Sequence, residues 1–236
     1  MYDFHTHILP EMDDGSKSVD MSIAMLKKSK DDGITNIALT PHFYATSEDP
    51  QMFLKRRTHA FDLLRPVIEK SGLEDLRLIL GAEIAYYRGM GRSEQLTTLC
   101  FGKSNAVMVE MPFSQWTERE IRDIEDIHNE LGLKVIIAHI ERYITWQKPD
   151  LVDALRLDAK AMIQSNAEYF LTRKTRRKAA KLLKERKINL LGSDCHNMTT
   201  RPPNLGQALE FLEDKVDLSN VQNLSETIFM AGDGTG

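Results

Sequence analysis

The feature that most constrains the fold is an alternation of short apolar segments with longer amphipathic ones. The short segments are too short for buried helices and are rich in Ile, Val and Leu. They predict seven strands: Tyr2–Phe4, Asn36–Leu39, Arg77–Leu80, Ala106–Val109, Lys134–Ala138, Ala161–Gln164 and Asn189–Leu191. Strands that alternate with helices form parallel sheets with right-handed crossovers, so we expect an α/β barrel or a doubly wound fold. The 236 residues suit one barrel, although seven strands are one short of the regular eight.

The longer segments are predicted to be helices: Val19–Asp31, Pro50–Ser71, Glu118–Leu131, Asp150–Asp158, Arg173–Arg186, Leu205–Glu213 and Asn220–Met230. Pro66 predicts a kink or break in the second of these, and Thr117 is a favourable N-cap for the third. No repeat, linker or change of composition divides the chain. We therefore expect a single domain over residues 1–236, with a frayed tail at 232–236.

Composition and charge limit the classes of function. The formal net charge is −4 and the pI is about 6.0. Proteins that bind nucleic acid usually carry a basic excess, so we expect no nucleic-acid partner. No apolar run reaches the roughly 20 residues of a membrane helix, and the first residues do not resemble a signal peptide. With only two cysteines as well, we expect a cytoplasmic protein that is not embedded in a membrane.

Ionisable residues stand at the carboxyl ends of the predicted strands, where folds of this kind place their catalytic groups. His5 and His7 follow the first strand and are two residues apart, so they point the same way on an extended segment. Asp194 and His196 repeat this arrangement after the last strand. The other strand-end residues of this kind are His42, Glu83, Glu110 and His139.

These side chains predict a centre for divalent transition metals. A carboxylate at the end of an apolar strand is costly unless it is paired or bound to a cation. Imidazoles and carboxylates without cysteine suit Mn, Fe or Zn. With Asp14 nearby, the set exceeds the needs of one ion, so we expect two or three ions roughly 3.5–4 Å apart. His59 and His128 lie in predicted helices and are expected to be surface or packing residues.

Two arginines follow the same strand ends. Arg142 comes three residues after His139, and Arg201 comes five residues after His196. A single loop arginine usually forms a surface ion pair. Beside a metal centre, however, a guanidinium is suited to bidentate recognition of phosphate, so we expect both arginines to bind a substrate phosphate.

The strand-end motifs resemble those of the polymerase and histidinol phosphatase (PHP) family. In chain order they are His5-x-His7, His42, Glu83, His139 and Asp194-x-His196. The resemblance spans essentially the whole chain. It implies a single distorted seven-stranded β/α (TIM-like) barrel of PHP type with a trinuclear metal site.

Further motifs resemble one branch of this family, the manganese-dependent protein-tyrosine phosphatases of bacterial capsule and exopolysaccharide operons. They are His5-Thr6-His7-Ile8-Leu9-Pro10, Asp13-Asp14-Gly15, Thr40-Pro41-His42, Glu110-Met111-Pro112, Ala138-His139-x-Glu141-Arg142-Tyr143 and Ser193-Asp194-x-His196. This branch carries Glu where several family members carry His, as at Glu110. One departure is Glu11-Met12, where relatives often carry Gly, and it concerns the shape of the local loop.

The resemblance implies a role for each residue. One metal takes His5, His7, Glu83 and Asp194, a second takes Glu83, Glu110 and His139, and a third takes His42, His196 and Asp14. Arg142 and Arg201 would hold the phosphate, and together with Asp14 they are the expected catalytic residues. The implied reaction is hydrolysis of phosphotyrosine in the tail of a bacterial tyrosine autokinase that controls polysaccharide export. Mn²⁺ is the expected metal, and a metal-bridging hydroxide is the expected nucleophile.

Alternative functions stay open from the residues alone. Another phosphoester, such as histidinol phosphate, a nucleotide or a DNA 3′ end, would suit the same centre. A non-catalytic metal-binding module is a second alternative, although a decayed site usually loses ligands. The basic stretch beginning Arg173-Lys174 would either dock an acidic tail or be a solvated face.

A thiol mechanism is a third alternative, because Cys195-x5-Arg201 has the spacing of a cysteine-dependent tyrosine phosphatase loop. The residues between them contain no glycine, and Pro202 and Pro203 offer no backbone N–H to a phosphate. We therefore expect Cys195 to be a small buried hydrophobic residue and not a nucleophile.

Overall fold

The computed structural model describes residues 1–232, which form parallel strands covered by helices. The strands in this part of the chain are β1 (Tyr2–Asp3), β2 (Asn36–Leu39), β3 (His42–Phe43), β4 (Arg77–Leu80), β5 (Glu83–Ala85), β6 (Ala106–Glu110), β7 (Lys134–Ile137), β8 (Met162–Asn166) and β9 (Leu190–Gly192). The α-helices are α1 (Val19–Asp31), α2 (Pro50–Lys70), α3 (Glu118–Leu131), α4 (Pro149–Leu157), α5 (Glu168–Leu171), α6 (Arg176–Lys184), α7 (Leu205–Leu212) and α8 (Ser219–Gly232). Short 3₁₀ helices span Met90–Arg92, Glu94–Leu99 and Ile140–Arg142. The predicted frayed tail lies outside the described residues, except for Gly232, which ends α8.

The strands form two parallel sheets, not the predicted set of seven. One has the order β1-β2-β4, and the other has the order β3-β5-β6-β7-β8-β9. The count differs because two predicted strands are followed by a short interruption and a second strand. Thr40-Pro41 separates β2 from β3, and Gly81-Ala82 separates β4 from β5. Pro41 has no N–H to donate to a sheet, so a break there has a direct cause.

Backbone hydrogen bonds cross these interruptions and join the two sheets. Gly81 N donates to Leu39 O at 2.9 Å, and Glu83 N donates to Pro41 O at 3.0 Å. Gly81 is required here because a Cβ at this position would lie 2.7 Å from the ring of Phe101. The two sheets therefore continue each other, and their carboxyl ends face the same side.

The sheets curl until the segments that follow the first and last strands meet. Asp194 N donates to His5 O at 2.7 Å, and His7 N donates to Cys195 O at 2.9 Å. Both bonds lie beyond the carboxyl ends of β1 and β9. The curl thus brings together side chains that are almost 190 residues apart in the sequence.

An apolar cluster fills the opposite end of the curled sheet. Its buried residues are Phe4, Ala38, Ile79, Phe101, Ala106, Met108, Ile136, Ala138, Leu190, Ile228 and Phe229. The rings of Phe4 and Phe229 meet edge to face at 5.2 Å, so α8 covers this end of the strands. A second, larger apolar cluster packs the other helices against the outer face of the strands. No helix within residues 1–232 has the length and apolarity that crossing a bilayer requires.

Most helix predictions are confirmed to within a few residues. α3 has the predicted bounds, and Thr117 and Glu120 form a reciprocal capping box at its start. Of the kink or break predicted at Pro66, the break is wrong, because α2 continues through it to Lys70. Pro66 has no N–H to donate to the carbonyl of Asp62, and both residues are exposed, so that carbonyl is accessible to solvent. The sequence did not predict α5 or the 3₁₀ helices.

Candidate metal centre

The structure brings all nine residues predicted to bind metal into one cluster, which we call the ligand cluster. Three groups have donor atoms within 4.8 Å of one another: His7, Asp14, His42 and His196; His5, His7 and Glu83; and His42, Glu83 and Glu110. His139 and Asp194 contact members of these groups. The residues come from the strand ends and from the loop after β1, as the barrel rule predicts.

Glu83, the first residue of β5, lies at the middle of the ligand cluster. Its Oε2 is 3.0 Å from His5 Nε2 and 3.2 Å from His7 Nε2. The parallel pairing of β3 with β5 sets His42 opposite Glu83, with Nδ1 at 3.1 Å from Oε2. Its Oε1 is 2.8 Å from His139 Nε2. Burial raises the pKa of Glu83, but the imidazoles outweigh burial and hold it well below its usual range.

Asp194 turns one carboxylate oxygen toward the imidazoles. Its Oδ1 is 3.4 Å from His7 Nε2 and 3.6 Å from His196 Nδ1. Burial opposes the charged form, yet His5 and His7 hold the pKa of Asp194 well below its usual range. Asp194 therefore offers a charged oxygen to the ligand cluster.

The second oxygen of Asp194 is held by cationic and amide donors. Arg201 Nη2 lies 2.6 Å from Oδ2, and Arg142 donates to the same oxygen. Asn166 Nδ2 donates to it at 2.8 Å. Both predicted phosphate-binding arginines thus reach the edge of the ligand cluster, and about a third of each side chain is exposed. This contact with a carboxylate was not expected from the sequence.

The remaining acidic residues lie where the cluster meets solvent. Glu110 Oε1 is 3.2 Å from His139 Nε2. Asp14 Oδ1 is 3.3 Å from His196 Nε2 and 3.5 Å from His42 Nε2, and its side chain is 66% exposed. The cluster is therefore closed beneath Glu83 and open on the side of Asp14.

Asp13 supports the cluster from one side, a role that sequence reasoning did not assign. Its Oδ2 lies 2.8 Å from His7 Nδ1 and accepts the backbone N–H of His42 at 2.9 Å. Gly15 N donates to its other oxygen at 2.8 Å, and a Cβ on Gly15 would fall 2.3 Å from His7 O. Asp13 thereby turns His7 Nε2 toward Glu83. Its place in the motif Asp13-Asp14-Gly15 was the available signal.

Gln164 supports the cluster from the other side and was also missed. Its Oε1 accepts the backbone N–H of His139 at 2.7 Å and lies 3.3 Å from His5 Nδ1. A fully buried amide at the end of a predicted apolar strand was the signal for it.

The backbone is strained at two cluster residues. His139 has φ of 32° and Asp194 has φ of 54°, so both lie in the left-handed region that favours glycine. Each lies two residues after the end of its strand, β7 or β9, where the chain leaves the sheet. Such strain persists where the surrounding structure enforces it, and it concentrates at functional sites.

The arrangement of donors fits a bound cation. His7 Nδ1 faces the Asp13 carboxylate and His5 Nδ1 faces the Gln164 carbonyl, so both rings hold their proton on Nδ1 when neutral. Both Nε2 lone pairs then meet 3.1 Å apart beside the charged Glu83 Oε2. Within the described residues, Glu83 Oε2, His42 Nδ1 and His196 Nε2 are buried and form no hydrogen bond. Lone pairs that converge in this way need positive charge between them.

Two exposed aromatic rings flank the ligand cluster, and sequence reasoning did not single them out. The ring of Tyr44 lies 5.3 Å from that of His42, and its side chain is 43% exposed. The ring of Phe113 lies nearly parallel to that of His139 at 6.2 Å and is 59% exposed. They follow β3 and β6, so they stand at the same end of the sheet as the cluster.

Cys195 is fully buried in the structure. Burial raises the pKa of its thiol, so the thiolate that a nucleophile requires is disfavoured. Its inaccessible sulfur argues against the thiol mechanism. His59 and His128 lie in α2 and α3, away from the cluster groups, as expected.

The fold and the cluster together define an α/β protein with a curled parallel sheet and a candidate polynuclear metal centre. The sequence model of the family "Capsular polysaccharide synthesis, CpsB/CapC" matches residues 1–230. The chain belongs to this family, which confirms the resemblance to proteins of capsule operons.

Individual relatives agree with this assignment. The tyrosine-protein phosphatase CpsB of Streptococcus pneumoniae is 28% identical over 240 residues, covering 95% of this chain and 94% of the relative. A solved chain from the work on YwqE of Bacillus subtilis and CpsB of Streptococcus pneumoniae, metal-dependent tyrosine phosphatases, has a TM-score of 0.83 at 24% identity, covering 98% of this chain and 95% of its own. The phosphotriesterase homology protein of Escherichia coli, solved with phosphate in its active site, has a TM-score of 0.51 at 13% identity and covers 97% of both chains. These two structural likenesses show the fold alone.

Proposed function

We propose that this chain is a metal-dependent protein-tyrosine phosphatase that acts in bacterial polysaccharide synthesis. The observation that carries the proposal is the juxtaposition of the ligand cluster with Arg142 and Arg201, which meet at Asp194. A metal centre beside two guanidinium groups suits hydrolysis of a phosphate monoester. Membership of the CpsB/CapC family and the phosphatase relatives support it.

We assign the metals as the resemblance implies, and the geometry supports three overlapping sites. His5, His7, Glu83 and Asp194 would hold one ion, Glu83, Glu110 and His139 a second, and His42, His196 and Asp14 a third. Glu83 contributes to two sites because its two oxygens face different imidazoles. Mn²⁺ is the metal we propose, since the donors are all imidazole and carboxylate.

The side chains around the ions would bind and orient the phosphate. Bound divalent ions lower the pKa of water toward neutrality and polarise the phosphoryl oxygens. Arg142 and Arg201, anchored on Asp194 Oδ2, place positive charge beside the ligand cluster and would stabilise charge that develops on the phosphoryl group. Asp14 completes the third site where solvent enters.

The exposed aromatic rings favour an aryl phosphoester over a purely aliphatic one. Phe113 is the more exposed of the two rings and stands over the edge of the cluster beside His139. A phosphotyrosine ring would pack against it, whereas a phosphorylated serine would not. Histidinol phosphate and DNA also carry aromatic rings, so the comparison of substrates described below distinguishes them from phosphotyrosine.

Within this proposal, the substrate is the tyrosine-phosphorylated tail of a bacterial kinase of polysaccharide export, and the reaction takes place in the cytoplasm. The support is the capsule role of the family. We also infer that the interrupted pairs β2–β3 and β4–β5 each represent one strand of a seven-stranded barrel. The hydrogen bonds across Pro41 and Gly81 support that interpretation.

The decisive experiment measures hydrolysis with defined metal content. We expect chelation to abolish hydrolysis of a phosphotyrosyl peptide and Mn²⁺ to restore it. We expect kcat/KM to be higher for this peptide than for histidinol phosphate or single-stranded DNA with a 3′ phosphate. Activity that survives complete loss of metal, as shown by elemental analysis, would overturn the metal assignment. A preference for histidinol phosphate or DNA would overturn the substrate assignment.

A further inference from the structure

A strongly basic segment stands out in a chain that is acidic overall. Residues 173–187 contain nine lysines and arginines and a single acidic residue, Glu185, whereas the whole chain has a net charge of −4. We use the name basic face for the exposed cationic residues at the start of this segment: Arg173, Lys174, Arg177, Lys178 and Lys181. They lie on α6 and on the turn before it.

The basic face is unfavourable for the helix that carries it. The first turn of α6 contains Arg176, Arg177 and Lys178 and no acidic residue, although the amino end of a helix disfavours cations. Arg177 and Lys181 are spaced four residues apart and repel each other. Among the described residues, Glu185 pairs only with Lys181 at 3.7 Å and Lys187 at 3.5 Å. Arg173, Lys174 and Arg177 form no ion pair there, so their charge is available to a partner.

A groove connects the basic face with the ligand cluster. It has a volume of about 510 Å³, and Arg142, Asp194 and Arg201 contribute to its lining. Thr172 and Thr175, the residues on either side of Arg173-Lys174, also line it, as do the acidic residues Glu141 and Glu168. A chain that leaves the phosphate-binding arginines along this groove therefore reaches the basic face.

We infer that the basic face is a docking surface for acidic residues that flank the phosphotyrosine of a protein substrate. This inference rests on the proposed function, and it specifies which phosphotyrosine segments the site takes. Charge complementarity favours an acidic peptide, and the groove that contains the phosphate-binding arginines is also lined by the two threonines that flank Arg173-Lys174. Acidic residues a few positions from the phosphotyrosine would meet Arg173, Lys174 and Arg177.

The test compares two phosphotyrosyl peptides of equal length, one with Asp and Glu around the phosphotyrosine and one with Asn and Gln instead. The docking variant is Arg173→Gln/Lys174→Gln/Arg177→Gln. The matched control is Lys70→Gln/Lys103→Gln/Lys134→Gln, which makes the same charge change at three exposed lysines near the amino ends of β4, β6 and β7. We expect the acidic-to-neutral ratio of kcat/KM to fall about tenfold in the docking variant, mainly through KM, because three exposed ion pairs are lost. The control keeps the wild-type ratio.

Binding of the unphosphorylated acidic peptide, followed by fluorescence anisotropy at low and high salt, tests docking without catalysis. Weaker binding in the docking variant alone supports the inference even if no peptide is hydrolysed, in which case only the proposed function fails. If the wild type, the docking variant and the control have equal acidic-to-neutral ratios of kcat/KM and bind the peptide equally, the basic face is only a solvated surface and the inference is overturned. Loss of sedimentation with phosphatidylserine vesicles in the docking variant, with unchanged peptide ratios, would overturn it in favour of a membrane surface.

Discussion

The two ends of the curled sheet have opposite chemistry although the same strands build both. Away from the ligand cluster, aromatic and aliphatic side chains such as Phe4, Phe101 and Phe229 fill the interior, and their rings meet edge to face. At the carboxyl ends, four fully or nearly fully buried imidazoles and two buried carboxylates occupy the equivalent space. The first end buries groups that leave water readily, and the second buries groups that do so only at a cost.

The comparison shows how one fold separates stability from function. The apolar end stabilises the protein without help from any ligand. The polar end has lone pairs that face each other and a left-handed backbone at His139 and Asp194. Converging lone pairs are unfavourable without positive charge beside them, and the left-handed backbone persists because the surrounding structure enforces it. Substitutions at the two ends should therefore affect different measurements.

The largest effect is expected at Glu83, because its two oxygens face imidazoles of different sites. We expect Glu83→Ala to lower kcat/KM for a phosphotyrosyl peptide by about 10⁴-fold, as for catalytic groups that act as a unit. Metal content by elemental analysis should fall in parallel. Cys195→Ser is the control for a buried change near the cluster and should keep most activity. Wild-type turnover in Glu83→Ala, or near-complete loss in fully metallated Cys195→Ser, would contradict the metal mechanism.

At the opposite end, Phe229→Ala should act on stability alone. The ring is fully buried and packs 5.1 Å from Tyr2 and 5.2 Å from Phe4. We expect the free energy of unfolding in urea to fall by about 3–5 kcal/mol. The kcat of the protein that remains folded should stay near the wild-type value. Met230→Ala, on the exposed side of the same helix, is the control and should change stability little. A large loss of kcat in folded Phe229→Ala would show that the two ends are coupled.

Arg201→Ala should lower activity without unfolding the protein. Its guanidinium is one of two that reach Asp194 Oδ2, and it is expected to stabilise charge on the phosphoryl group. By analogy with other donors of this kind, we expect kcat to fall about 10²–10³-fold while metal content is kept. Asn166 and Arg142 still hold Asp194 in this variant. If the variant instead loses metal and regains full activity when Mn²⁺ is added, Arg201 only positions Asp194.

The contrast between the two ends also explains what the sequence could reveal. Apolar runs and helical periodicity are local, so β2, β4, α1 and α3 have the predicted bounds. The rule that parallel strands end at a common edge then located eight of the nine members of the ligand cluster, whereas the role of Asp14, in the loop after β1, was implied by the resemblance. Both inferences need only the spacing of residue types.

Other features depend on three-dimensional fit and could not be read from spacing. The short strands β3 and β5 follow interruptions whose hydrogen bonds come from neighbouring strands. The left-handed φ of Asp194 arises where the chain leaves β9, and nothing in its composition specifies that. Likewise, the contact of Arg142 with Asp194 joins residues of different loops. The sequence therefore predicted that Arg142 binds phosphate, but it did not predict that Arg142 contacts the Asp194 carboxylate.

A smaller effect is expected at Phe113, which links the polar end to the substrate. Its ring is 59% exposed beside His139 and makes a second ring contact with Tyr143 at 5.2 Å. We expect Phe113→Ala to lower kcat/KM for an aryl phosphate about tenfold relative to an alkyl phosphate, since an aromatic pair contributes about 0.5–1.5 kcal/mol. Phe113→Leu should give a ratio of aryl to alkyl kcat/KM between those of the wild type and Phe113→Ala. An unchanged ratio would remove the aromatic argument for phosphotyrosine while leaving the metal centre intact.

The smallest effect tests whether strain beside the cluster is always functional. Glu11 has φ of 57° in the loop that leads to Asp13. Its side chain is exposed and forms no hydrogen bond or ion pair with the described residues, while its N–H donates to Ser16 O at 2.8 Å. The left-handed region costs a side chain about 1–2 kcal/mol, and glycine gives back part of this through the freedom of the unfolded chain.

We therefore expect Glu11→Gly to raise the free energy of unfolding by about 0.5–1 kcal/mol, measured in urea, with kcat unchanged. Lys160→Gly is the matched variant, because Lys160 is also exposed, has φ of 52° and lies just before β8, at the amino end of the sheet. Similar stabilisation of both variants means that the strain at Glu11 has no function. A lower kcat in Glu11→Gly alone would show that this loop contributes to the reaction, because both changes relieve left-handed backbone strain and only Glu11 lies in the loop that leads to the ligand cluster.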